Sequence, residues 1–268
     1  MESKKILFIS QEITPYLAEN PISKIGRHLP QGIQERGKEI RTFLPRYGCI
    51  NERRNQLHEV IRLSGMNLII NDTDHPIIIK VASIQSARMQ VYFIDNEEFF
   101  QRKFTVVNAN GEEFDDNDER AIFYARGVLE TVKKLRWAPN VVHCHGWLAA
   151  LVPLYLKTIY ADDPLFQNCK IVYSVYNNDF QKPFNSTFSD KLRFDGIEGE
   201  SKKILKTPDY LSISKLAIHY SDAVIIGSET INEELNKHIQ TIDKIVLPYQ
   251  DEEHYIDAYN DLYDKILQ

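Results

Sequence analysis

The 268 residues are 43% hydrophobic and 26% charged, the proportions of a globular protein able to bury a substantial core. A formal net charge of −6 gives no electrostatic basis for binding nucleic acid or an anionic membrane. Three widely spaced cysteines (Cys49, Cys144, Cys169) offer neither a CxxC pair nor a disulfide framework, and no apolar run approaches the roughly 20 residues of a membrane span.

The opening Met1-Glu2-Ser3-Lys4-Lys5-Ile6 reaches a strand at once, without a signal peptide's apolar region, so a cytoplasmic protein is expected. Residues 5–10 (KILFIS) form a continuous apolar run, the pattern of a strand buried on both faces. A loop follows, where Pro15 discourages helix. A helical pattern over about 23–36 aligns Ile22, Ile25, Leu29 and Ile33. Gly37 is its expected C-cap, and Pro30 predicts a kink or a late start. Residues 39–45 are a second strand, which completes one βαβ unit. The short β-rich runs 57–63, 67–70, 76–84 and 89–94 read as antiparallel ribbons folded over the front of the sheet, an insertion over about 57–90, with 89–94 rejoining the main sheet. The acidic stretch 112–119 suits a helix N-terminus, and a helix over about 117–136 follows.

Residues 140–151, NVVHCHGWLAAL, then carry a buried strand that delivers two histidines to its carboxyl end, the place where open α/β sheets bind ligands. Beyond it we expect a helix over 148–160, a strand over 169–175, a long polar connection to about Pro208 and a helix to about Tyr220. A strand over 222–226, a helix over 229–238, a strand over 244–247 and a last helix over about 252–267 complete the series. The alternation is an α/β signature without linker or repeat. It predicts one Rossmann-like, doubly wound domain over 1–268 with a mostly parallel sheet.

The motifs resemble, in order, those of the N-terminal half of bacterial glycogen and plant starch synthases, glycosyltransferases of GT-B type that use ADP-glucose. Residues 5–16 (KILFISQEITPY) are similar to a strand followed by S-E-x-x-P-[FY]. Residues 29–48 resemble L-P-x-A-L-x-x-x-G-H-x-V-R followed by L-P-x-Y-G. Val91 to Asn96 looks like V-Y-F-I-D-N, and Asp118-Glu119-Arg120 with Phe123 like D-x-E-R-F-x-x-F. Residues 137–147 (WAPNVVHCHGW) match W-x-P-D-V-V-H-x-H-D-W, Ser174 to Asn177 takes the place of T-x-H-N, and residues 220–228 that of Y-A-D-x-V-x-x-V-S. The resemblance implies a single GT-B-type half with α-glucan and ADP-glucose as the substances handled, and neither a cofactor nor a metal.

It also implies site residues. His145 takes the position of the family's sugar-contacting histidine, with a hydrogen-bonded relic ring as the alternative. Glu12, Lys24, Asn177 and Trp147 are candidates for substrate binding; for Trp147 core packing is the simpler role, and for Glu12 a solvated loop carboxylate. His143 is expected to be structural and to turn to the side of the strand opposite His145. Zinc is rejected for the His-Cys-His trio, which offers too few converging ligands. Asp115, Asp116 and Asp118 read as a solvated helix start, and Tyr255, Tyr259 and Tyr263 as a packing row. The family's K-x-G-G-L-x-D-V loop is altered: Ala18 stands at its lysine, Asn20 and Pro21 at its glycines, and Lys24 at its aspartate. Glycine lets backbone N–H groups approach phosphate closely, and proline has no N–H to offer. With the family's donor-binding domain not among these residues, two outcomes are expected. Either the chain is a synthase component completed by a donor-domain protein or a second copy, or it is a non-catalytic glucan-binding or scaffold domain.

Overall fold

The computed structural model describes residues 3–268. β1 (Lys5–Ser10) and β2 (Glu39–Pro45) form where their apolar runs require, paired in parallel around α1 (Pro21–Glu35). A capping box starts α1: the Ser23 N–H donates to Asn20 Oδ1 at 2.9 Å, and the Asn20 N–H to Ser23 Oγ at 2.9 Å. Pro21 sits in the first turn, where a missing N–H costs nothing. Pro30 lies inside the helix without ending it, because Leu29 and Ile33 beside it are buried against the sheet.

β3 (His58–Glu59), β4 (Met66–Ile70), β5 (Thr73–Ile84) and β6 (Met89–Asp95) follow. β6 does rejoin the parallel sheet beside β2. The ribbon, however, does not fold over the front: β5 pairs antiparallel with β6, and β3 and β4 pair with β5, so the insertion extends one edge of the sheet. The hydrogen-bonding row left open on β6 is satisfied in this way, in the plane of the sheet. After the short α2 (Glu97–Phe100) comes α3 (Asn117–Leu135), and then β7 (Val141–His145). The helix expected over 148–160 is instead a 3-10 turn and the shorter α4 (Val152–Lys157), with Pro153 in its first turn. β8 (Lys170–Val175) leads into the polar connection, which holds two helices missed in the sequence, α5 (Phe188–Phe194) and α6 (Glu200–Ile204). α7 (Tyr210–Tyr220), β9 (Ala223–Ile226), α8 (Glu233–Ile239), β10 (Ile245–Leu247) and α9 (Tyr255–Ile266) complete the chain.

The sheet order is β10-β9-β8-β7-β1-β2-β6-β5-β3, parallel from β10 to β6. Ile6, Phe8, Val141, Val172, Ala223 and Ile225 face α1 and α9 on one side. Leu7, Ile9, Val142, Cys144, Ile171 and Val224 face the layer of α3, α4 and α7 on the other. Asp118, expected in solvent, is fully buried beneath α5. Lys191 Nζ donates to its carboxylate at 2.6 Å and lies 2.8 Å from Glu119. Asp115 is exposed as expected, beside Lys182.

Candidate functional site

From β1 the chain works outward through β2 and β6; from β7 it works the other way through β8, β9 and β10. The order therefore reverses between β1 and β7, where the carboxyl ends of an open sheet leave a crevice for ligands. Ser10 and His145 are register partners at that point.

The His145 ring is only 1% exposed. Its Nδ1 lies 2.7 Å from Tyr176 Oη, and its Nε2 has no hydrogen-bond partner, nor has the buried Ser10 Oγ. His143 does not turn away from it. Residues two apart in a strand share a face, and the two ring centroids are 3.8 Å apart. His143 is structural in its bonding: Nδ1 lies 2.6 Å from Tyr263 Oη and Nε2 2.7 Å from Ser174 Oγ. Burial pushes both rings toward the neutral form, His145 down to about 3; for His143 the neighbouring His145 adds to the effect. The tyrosine row of α9 packs as expected, with Tyr255, Tyr259 and Tyr263 buried. The bond from that row to His143 was missed. Its signal was tyrosine rather than phenylalanine on a face due for burial, since a buried hydroxyl needs a partner.

Gly146 stands where the resembled motif has aspartate. Its φ of +81° and a Cβ position 2.7 Å from Gln11 Oε1 suit glycine alone. Trp147, 2% exposed, packs edge-on against Phe180 and Phe184 at 5.0 and 5.9 Å, which leaves no ring face for a sugar. Glu12 is half-buried and accepts a hydrogen bond from Asn20 Nδ2, so it braces the α1 cap. Burial raises its pKa, partly offset by that bond. Asn177 is exposed past the end of β8, its N–H donating to Ser228 Oγ at 3.1 Å. Lys24 Nζ lies 3.1 Å from Glu19 and 3.5 Å from Glu252. Thus His145 and Ser10 meet at the switch point, Lys24 faces a neighbouring cleft, and Trp147 joins the core.

That cleft, about 680 Å³, opens at the carboxyl edge between the start of α1, the Gly227-Ser228 turn after β9 and the start of α9. Tyr176 separates it from the histidines: a Cβ on Gly227 would lie 2.5 Å from the Tyr176 ring. Among the described residues no group of three or more His, Cys, Asp or Glu could hold a metal ion, and no helix is long and apolar enough to cross a membrane.

The family model for the starch synthase catalytic domain matches residues 5–245. The chain belongs to that family. Glycogen synthase of Pelodictyon phaeoclathratiforme is 38% identical over 175 residues, covering 65% of this chain and 36% of that protein. Glycogen synthase of Chlorobaculum parvum is 32% identical over 237 residues, covering 86% and 47%. The chain spans about half or less of the length of these relatives. The catalytic domain of starch synthase IV from Arabidopsis thaliana, solved bound to ADP and acarbose, superposes with a TM-score of 0.70 over 98% of this chain and 50% of that chain at 16% identity. That superposition shows a shared GT-B-type fold, a mostly parallel sheet with helices on both faces.

Proposed function

We propose that this chain is a glycogen/starch synthase-family domain that holds α-glucan and, assayed on its own, transfers no glucose from ADP-glucose. The burial of His145 carries the reading. A histidine that touches a sugar needs a free ring edge at the cleft, and here the ring is buried against Tyr176, His143 and Phe8. The start of α1 supports it further: Pro21 has no N–H, the Ser23 N–H is donated to Asn20, and Lys24 is matched by carboxylates, so the helix start presents neither paired glycines nor an unpaired ammonium to a phosphate. Retention by glycogen in native affinity gels, with no ADP released from ADP-glucose, is the expected pair of results.

A second reading keeps the transferase. His145 and Asn177 still lie at the carboxyl ends of neighbouring strands, β7 and β8, and a donor-domain protein or a second copy would complete the site. Glycogen-dependent ADP release on adding such a partner would favour it. Closure of two domains around the donor supplies the water exclusion and phosphate positioning on which transfer depends.

A further inference from the structure

A second cleft, of about 370 Å³, opens between α6, α7 and α8 at the amino ends of the strands, on the side of the sheet away from His145. The topology puts it there: α7 leads into β9, so its last turn meets the strand starts, and Lys244 immediately precedes β10. The volume falls within the range of small-molecule sites, roughly 300–1,000 Å³. Ile204, Ile218 and Ile242 give the cleft an apolar floor. Its polar wall is Ser212, Lys215, His219, His238 and Lys244, and among the described lining residues none is acidic. A wall of one sign stands out in a chain of formal net charge −6.

Cations are common at helix C-termini, where they offset the dipole. His219 and His238 do stand in the last turns of α7 and α8. For α7, however, Lys244 already meets that need: its Nζ donates to the carbonyls of His219 at 2.6 Å and Ser221 at 2.5 Å. Lys215 lies more than a turn before the end of α7, where the dipole has little reach. Among the described residues, neither Lys215 Nζ nor the His219 or His238 ring has a hydrogen-bond or ion-pair partner. Asp222 acts on Lys244, but it is itself bonded to the Ile171 N–H at 2.8 Å and lies 3.5 Å from Lys157. Burial, and then the charge of Lys215, lower the pKa of His238, as expected where basic groups meet without a counter-charge between them.

We propose that this cleft binds a small phosphomonoester, its phosphate held by Lys215, His238 and the Ser212 hydroxyl and its organic body laid on Ile204, Ile218 and Ile242. A phosphate group brings close to two negative charges and three acceptor oxygens, and so can engage donors arriving from α7 and α8 together. The site is separate from the carboxyl-edge cleft, and its occupation does not depend on the glucan reading above.

Isothermal titration of the full 268-residue protein with phenyl phosphate tests the proposal, with inorganic phosphate and phenol as the two halves of that probe. Phenyl phosphate is expected to bind more tightly than either half, and to weaken as salt is raised. Lys215→Met weakens it by about tenfold or more, the worth of a charge-assisted hydrogen bond, and Lys215→Arg keeps most of the affinity. Lys237→Met removes a lysine of α8 that pairs with Glu233 outside the cleft, and leaves the affinity unchanged. Lys215 is half-exposed and unpaired among the described residues, so thermal denaturation of the variants should match the parent. In an NMR titration the His238 ring pKa rises when phenyl phosphate is added, because a bound anion favours the imidazolium. Absence of phenyl phosphate binding by the parent, equally tight inorganic phosphate, binding that ignores salt, equal losses in Lys215→Met and Lys237→Met, or an unmoved His238 pKa overturns the proposal.

Discussion

Acidification from about pH 7 to about pH 5 is expected to destabilise the fold by about 2 kcal/mol through His145 alone. An unfolded histidine titrates near 6.5, so at about pH 5 the unfolded chain gains a proton worth about 2 kcal/mol. The folded ring, its pKa pushed down to about 3 by burial, stays neutral and gains nothing. The sign follows: the folded pKa lies below the unfolded one, so the stabilisation is complete above about 6.5 and is lost as pH falls toward the folded value. His143 is shifted in the same direction and steepens the slope. Asp95, Asp118, Asp195 and Glu12, all raised by burial, act with the opposite sign. The comparison must therefore be made between variants rather than read from the parent curve. Urea denaturation at the two pH values, for the parent and His145→Asn, isolates the histidine. The variant is less stable at both, but its loss on acidification is smaller by about 2 kcal/mol, a sizeable part of the roughly 5–15 kcal/mol of a typical domain. Parallel losses in parent and variant would refute the buried, neutral ring.

Three further perturbations address packing. Lys191→Met strands the fully buried Asp118 carboxylate and costs about 3–5 kcal/mol in urea denaturation, and adding Asp118→Leu recovers much of it. Gly32 is where α1 and α9 touch: a Cβ there would lie 2.5 Å from Ile256 Cγ2. Gly32→Ala is therefore expected to cost about 1–3 kcal/mol in thermal denaturation, with relief from Ile256→Ala in the same chain. Trp147→Ala removes a core ring at a cost of about 3–5 kcal/mol and leaves glycogen retention of the folded fraction intact. Loss of retention at unchanged stability would return Trp147 to the binding surface.

The strands were legible because a parallel sheet covered on both faces leaves continuous apolar runs, such as KILFIS and residues 141–145. The position of His145 at a strand end followed from the same logic. What lay beyond the sequence was whatever approached those ends from far along the chain. α9 reaches β7 across more than a hundred residues, guided by the Arg36 Nε to Asp257 bond at 2.8 Å and the Lys38 to Asp264 pair at 2.9 Å. Such long-range pairs leave no periodicity to read. The relation of His143 to His145 was legible, by contrast, since two residues apart on a strand means one face. The α5 helix escaped because its apolar positions, Phe188 and Leu192, are set among charges that only the Asp118 contact explains.

The most direct test of the account is ADP release by the purified chain given ADP-glucose and glycogen. With His145 buried and the Ser23 N–H at the start of α1 donated to Asn20, release is predicted to stay at the level of a protein-free blank. Steady, glycogen-dependent release that disappears in His145→Ala would contradict it.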